Sequence, residues 1–377
     1  MIRCVVTVLA LVSLAACIGE DAMEAGDNSS IFHAGVNQTT LQDDGGREPV
    51  FRDLAFTNQN RVFISSYVEA EKAYNITIEA EVEGNIKGLD IINDWIVVSM
   101  ESGNRSGPDS ITIMDDKLRT RANKPFGNVG SINAEGDYIY AGVNNSFMKL
   151  NGALEVVDSV ELNSSWGRWK VVHDILLHEG RAYLLDNVMM PIYVFIVNDT
   201  EDGMSLDVSY EILGINQHLM GQWIDTVNGL WIILQSESHK AGGEQTALIM
   251  DRHGKHKGRH RYYSYSRLDD KVEGVMIAKT TGIDPAWAVT VINNTCSLAR
   301  IGYDDGKIRI TNELLLDDKT TRLIYPETIN FRMADGLIYA TIYSRLFIIR
   351  PGDEPQILHE QMIEPAEWMI QDMMVLG

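Results

Sequence analysis

The chain has 377 residues, 45% of them hydrophobic and 23% charged, with 53 acidic residues against 32 basic ones and a formal net charge of −21. This apolar content suffices for one large β domain or two ordinary ones without disulfide support. The acid excess argues against nucleic acid as a partner, because neutralising phosphates requires clustered Lys and Arg.

The amino terminus carries a basic start, Met1-Ile2-Arg3, then an apolar run from Cys4 to Leu14, then the small-residue segment Leu14-Ala15-Ala16-Cys17. That order is the pattern of a secretory signal. The apolar run is shorter than the roughly 20 residues that cross a bilayer as a helix. The closing quartet resembles the lipobox of bacterial and archaeal lipoproteins, and the resemblance implies lipidation of Cys17 and cleavage in front of it. Residues 1–16 are then a lipoprotein signal peptide and the mature protein an extracytoplasmic, membrane-anchored lipoprotein. Cys4 leaves with the signal and lipid occupies Cys17, so Cys296 is left as a lone thiol inside an apolar stretch, the usual setting of a small core residue. Residues 17–48 are polar, with Gly19-Glu20-Asp21 and Gly26-Asp27-Asn28-Ser29-Ser30, and read as a lipid-anchored tether. Asn-X-Ser/Thr triplets begin at Asn28, Asn37, Asn75, Asn104, Asn144, Asn163, Asn198 and Asn293. They are either glycan acceptors of a secreted glycoprotein or turn residues that happen to fall in that order.

From about residue 49 to residue 377 a loose repeat appears. Each unit is an apolar strand, a turn of Asn, Asp, Gly or Pro, and a second strand rich in aromatic and β-branched residues. Examples are Leu89-Asp90-Ile91-Ile92 with Trp95-Ile96-Val97-Val98, and Ile329-Asn330-Phe331 with Leu337-Ile338-Tyr339-Ala340. Such turns between apolar runs signal hairpins, because these residues accept positive φ. Taking Asn60, Asn93, Gly136, Gly180, Gly229, Pro285 and Gly336 as turn markers, the spacings are 33, 43, 44, 49, 56 and 51 residues, about the length of a four-stranded propeller blade. On this pattern the chain resembles the secreted β-propellers. The expectation is an all-β fold of about seven four-stranded blades, with six to eight compatible with the spacing, closed so that no broad sheet edge is exposed. The segment Trp368–Leu376 reads either as a short helix opened by Pro365 or as a strand closing the ring.

The resemblance places ligands at the mouth of a central channel. Residues near the entrances of the inner strands are then candidates: Asp53, Lys87, Asn133, His173, Asp174, Gln222, Asp225, Glu273 and Glu327. Their oxygens suit either a cation such as a channel calcium ion, or hydrogen bonds that stitch neighbouring blades together. Trp166-Gly167-Arg168-Trp169 lies in the connection before His173. Two aromatics flanking a guanidinium suit stacking on a sugar or flat ligand, or plugging a blade interface. The basic run Arg252–Arg261 reads as a hairpin tip and outer strand, Asn198–Gly203 as a turn, and Ser146-Phe147-Met148-Lys149 as strand rather than a serine–lysine catalytic pair.

No Gly-x-Ser-x-Gly elbow, His-Glu-x-x-His, phosphate loop or dinucleotide fingerprint is present, so no cofactor is expected. The function expected from these features is a binding or assembly module for a protein or glycan partner. Trp166, Arg168, Trp169, His173, Gln222, Glu273 and Glu327 are its ligand-binding candidates. The alternative is a propeller enzyme, a metal-dependent lactonase-like hydrolase or a quinone-linked sugar dehydrogenase, working through acidic channel residues.

Overall fold

The computed structural model describes residues 49–103, 107–162, 172–186, 192–212, 217–225, 229–236, 245–250, 256–262, 276–280, 287–292, 295–304, 307–317, 329–363 and 369–377. Among them the chain is built of strands joined by turns. They assort into antiparallel four-stranded sheets, seven in all, each running from an inner to an outer strand. The first sheet takes β1 (Leu54–Asn58), β2 (Arg61–Val68) and β3 (Ala73–Glu81) as its outer three strands. The second sheet is β4 (Asn85–Ile92) to β7 (Thr120–Pro125), with β5 (Trp95–Glu101) and β6 (Ser110–Met114) between them. The third is β8 (Val129–Glu135), β9 (Tyr138–Val143), β10 (Ser146–Leu150) and β11 (Val156–Glu161), and the fourth runs from β12 (Val172–His178) through β13 (Arg181–Asp186) and β14 (Ile192–Thr200) to β15 (Gly203–Ile212).

The remaining sheets repeat this order. The fifth contains β16 (Gln217–Asp225), β17 (Gly229–Ser236), β18 (Gln245–Met250) and β19 (His256–Tyr262). The sixth contains β20 (Met276–Thr280), β21 (Trp287–Ile292), β22 (Thr295–Asp304) and β23 (Lys307–Asp317), and the seventh β24 (Ile329–Ala334), β25 (Leu337–Ile342), β26 (Arg345–Arg350) and β27 (Gln356–Met362). The last strand, β28 (Asp372–Val375), returns to the first sheet and becomes its innermost member. Inner strands approach one another in sequence, β28 with β4, β4 with β8, β8 with β12, β16 with β20, β20 with β24, and β24 with β28. This is the all-β propeller that the repeat predicts.

The apolar runs of the middle strands follow from burial on both faces. In β1, Ala55 packs toward the second sheet with Val62, Ile86 and Val98, while its neighbour Phe56 packs toward the seventh with Phe63, Tyr339 and Ile348. The same alternation puts Val97, Ile111 and Ile113 against Ile139 and Val143 of the third sheet. Outer strands, wet on one side, read differently: β7 has the sequence TRANKP and is mostly exposed. Cys296 is a buried member of the core between the sixth and seventh sheets.

Ring closure depends on β28. Its register sets Leu54 opposite Val375, Ala55 opposite Met374, Phe56 opposite Met373 and Thr57 opposite Asp372. Of the two expectations for the carboxyl-terminal segment, the strand is therefore the one realised over Asp372–Val375, while Pro365 and Trp368 lie outside the described residues. A second clasp joins the outer strands of the seventh and first sheets. The Gln361 side-chain amide on β27 donates to Tyr74 O at 2.8 Å, and its oxygen accepts from Tyr74 N at 2.6 Å. Around it Phe51, Tyr67, Tyr74 and His359 pack edge-on or tilted, with ring centroids 4.7–5.8 Å apart.

The closing strand is testable by truncating one buried side chain. Met373 is 1% exposed, so Met373→Ala is expected to lower the urea unfolding free energy by about 2–5 kcal/mol. Met369→Ala, at a site 36% exposed, should stay within about 0.5 kcal/mol of wild type. Equal effects of the two would remove the closing role of β28.

Candidate functional site at the inner-strand rim

In a four-stranded meander the connections from second to third strand, and from fourth strand to the next sheet, fall at one end. The other two turns fall at the opposite end. The first end carries residues 107–108 before β6, 127–128 between β7 and β8, and 144–145 between β9 and β10. Together with Ser146 they line an open groove of about 650 Å³. Its lining residues are Gly107, Pro108, Gly127, Asn128, Asn144, Asn145 and Ser146.

The groove is braced by short-range bonds. Asn128 N donates to Asn144 Oδ1 and Asn144 N to Asn128 O, both at 2.8 Å. Asn144 has φ of 50°, a conformation that Asn tolerates better than most residues. A Cβ on Gly127 would overlap the Asn144 amide, so the close approach of these two connections requires glycine there. The Asn144 triplet is thus part of a packed turn, with its amide oxygen already engaged.

Beneath the groove, Asp109 is buried and gathers three donors, Ser102 N at 3.1 Å, Val129 N at 2.9 Å and the Lys87 ammonium at 2.8 Å. Lys87 also donates to Val129 O at 3.1 Å and to Asn128 Oδ1 at 3.5 Å. Lys87 reaches this position because β4 bulges there, its register shifting between Ile86 and Gly88. The inner strands β8, β12, β16 and β20 shift similarly, between Val129 and Ile132, Val172 and Asp174, Leu219 and Gly221, and Ile277 and Lys279. Bulges re-aim side chains at the rims of barrels, and Lys87 and His173 occupy equivalent bulge positions. Only Gly88 and Gly221, each directly following a bulge, mark these irregularities in the sequence.

Farther along the inner strands a chain of polar side chains links sheet to sheet. Arg332 on β24 donates to Asp372 on β28 at 3.1 Å, and Asp372 accepts from Leu89 N on β4 at 3.0 Å. Asp90 on β4 accepts from Ala134 N on β8 at 2.7 Å, and Asn133 on β8 donates to Ile175 O on β12 at 3.1 Å. Asp372 and Asp90 also each accept from the next residue's N–H, Met373 and Ile91. Burial pushes the Asp90 carboxyl up to about 6, against the pull of Ile91 N, Arg332 and Ala134 N, and with Asp372 adding to the rise.

Several sequence candidates fall elsewhere. Asp53 precedes β1, which is the second strand of its sheet, because β28 holds the inner place. Asp225 sits at the turn into β17, the opposite end from Lys87. His173 and Gln222 lie on the inner strands β12 and β16, with side chains outside the described set, and Trp166, Arg168, Trp169, Glu273 and Glu327 lie outside the described residues. So do Cys17 and the tether. Lys149 of the serine–lysine pattern is paired with Asp199 at 2.7 Å on a strand, and Asp199 also accepts from Tyr140 Oη at 2.5 Å, so the segment 198–203 is a hairpin turn whose acid serves packing. The basic run supplies β19, the outer strand of the fifth sheet. Among the described residues no group of three or more His, Cys, Asp or Glu is placed to hold a metal ion, and no helix is long and apolar enough to cross a membrane.

No family model matches the chain, and no curated protein matches it. Solved structures do. A protein from Lactobacillus plantarum superposes with a TM-score of 0.55 at 12% identity, covering 87% of this chain and 100% of the other. Two proteins provisionally described as 6-phosphogluconolactonases give similar results. That from Bacteroides fragilis has a TM-score of 0.52 at 10% identity over 86% of this chain and 98% of its own, and that from Bacteroides uniformis 0.54 at 8% over 86% and 99%. At such identities the likeness establishes the propeller fold and nothing finer.

The raised proton affinity of Asp90 has a signed consequence. From an ordinary value of 3.8 in the unfolded chain to about 6 in the fold, the unfolded state releases its proton first as pH rises. The Asp90 contribution therefore erodes stability between about pH 4 and pH 6, by on the order of 2–3 kcal/mol. Urea unfolding of wild type and Asp90→Asn at pH 4.5 and pH 7 should show the difference between them shifting in the variant's favour at the higher pH. A pH-independent difference, or a shift of opposite sign, would show that Asp90 is not held in this way.

Proposed function

We propose that this protein is a lipid-anchored, extracytoplasmic propeller that works as a binding module and presents its groove-bearing end to a glycan partner. The observation that carries the reading is the groove itself, whose lining is made of Asn128, Asn144, Asn145 and Ser146 beside Pro108 and two glycines. Amide and hydroxyl groups both donate and accept, which matches the mixed donor and acceptor pattern of sugar hydroxyls. An open depression of this size accommodates a ligand without a closing lid. The connection from β11 to β12, which contains Trp166, Arg168 and Trp169, leaves and re-enters the sheets at this same end.

Ser146→Trp places an indole in the groove. On a glycan array, a ligand bound by the wild type is expected to lose at least tenfold in apparent affinity with this variant. An unchanged array profile from a folded variant would move the binding site away from the groove.

The anchoring half rests on Leu14-Ala15-Ala16-Cys17. Two acyl chains give stable attachment where one is marginal. Expressed at full length in a lipoprotein-processing host, the wild type is expected by mass spectrometry to begin at a lipid-modified Cys17, and Cys17→Ser to carry no lipid there. An unmodified amino terminus in the wild type would rule out lipid at Cys17.

A further inference from the structure

The junction of the seventh and first sheets holds a titratable ring. His359 on β27 lies among three aromatic rings from three different segments, Phe51 ahead of β1, Tyr67 on β2 and Tyr74 on β3, with centroids 5.8, 5.5 and 5.6 Å away. Its Nε2 is 3.2 Å from Gln361 Oε1, the oxygen that also accepts from Tyr74 N. The orientation of that amide is fixed, because its nitrogen donates to Tyr74 O. Gln361 Oε1 can therefore only accept, so the neutral imidazole carries its proton on Nε2, and Nδ1 is the atom that takes a second one. The cluster continues into the segment ahead of β1: Tyr74 Oη donates to Arg52 O at 2.8 Å, and Arg52 N donates to Tyr339 Oη at 3.2 Å.

We infer that His359 is an acid-sensitive latch: a second proton on its ring frees the clasp of Gln361 on Tyr74 and loosens this junction, together with Phe51 and Arg52, while the other sheets stay closed. A charged imidazole is stable where water can surround it, and here three rings stand in the way. Hydrating it requires withdrawal from Phe51, Tyr67 and Tyr74, and Gln361 lies two residues along the same face of β27. Burial lowers the proton affinity of His359, with the Gln361 bond and Glu360 acting the other way. The charged groups nearby are Arg52, bonded to Asp335, and Asp53 from the segment ahead of β1, and on its own strand Glu360, which accepts from Arg345 at 2.9 Å. The phenols of Tyr74 and Tyr339 are raised by burial and stay neutral. An opened His359 takes its proton before the closed one does, so the junction loses stability as pH falls through the ordinary value of 6.5.

The test is hydrogen exchange read by mass spectrometry on the full-length protein at pH 7 and pH 5, corrected for the intrinsic pH dependence of exchange. Segments 67–81 and 356–362 should lose at least about threefold in protection at pH 5, while 138–150 of the third sheet changes by less than about twofold. His359→Phe keeps a ring in the cluster and cannot titrate, so its protection at the two segments should be the same at both pH values. Gln361→Met removes the clasp and should show at pH 7 the exchange that wild type shows at pH 5. Histidine NMR on the wild type checks the latch even where a variant fails to fold, with His359 expected to titrate below 6.5. Equal wild-type protection at both pH values, a loss shared by every sheet, a loss that persists in His359→Phe, undiminished protection at pH 7 in folded Gln361→Met, or a His359 midpoint at or above 6.5 each overturns the inference.

Discussion

The structure depends on one antiparallel pairing between the two ends of the described chain. A ring of sheets has no free flank only if its first and last members meet, and here they meet because Asp372–Val375 lies beside Leu54–Asn58 in a single sheet. Local sequence cannot provide this contact, since the partners are more than 300 residues apart. The clasp of Gln361 on Tyr74 and the aromatic cluster around His359 seal the same junction at the outer strands. The inner and outer margins of one seam are thus fastened by different chemistry, backbone ladder within and amide and ring packing without.

Polar groups on the inner strands act mainly between sheets. Asp372 bridges to β4, Asp90 to β8 and Asn133 to β12, each through a backbone group of the neighbouring strand. A backbone N–H on an inner strand has no further strand to pair with on its channel side, and an unpaired buried group is costly. Carboxylates and amides at these positions supply the missing partners. The elevated proton affinity of Asp90 is the energetic trace of placing a carboxyl there. Of the two roles that the sequence left open for such residues, cation ligands or stitches between blades, the second describes Asp90, Asn133 and Asp372.

Much of the architecture was legible in the sequence. The apolar pairs around Asn93-Asp94, Glu135-Gly136 and Asp335-Gly336 are the inner hairpins of their sheets, each with positive φ at the turn. The first unit of the repeat stands one strand out of step with the others. Its turn at Asn58–Asn60 joins the second and third strands of the sheet, because the innermost strand arrives from the other terminus. The short spacing of 33 residues between Asn60 and Asn93 was the trace of that offset. The groove was not legible, since it gathers residues from three separate connections and its one local signal, Gly127, makes sense only beside Asn144. Lys87 was visible as a candidate, but nothing near it in sequence announces that Asp109, 22 residues on, holds its charge.

The seam between the termini also decides how the molecule bears load. A tug on the polypeptide upstream of Leu54 meets Phe51 and Arg52 first, which touch Tyr67 and Tyr74 of the first sheet and Asp335, Tyr339 and His359 of the seventh. It reaches β1 next, zipped on one flank to β2 and on the other to β28, so the junction that keeps the wheel shut is also the one that takes the strain.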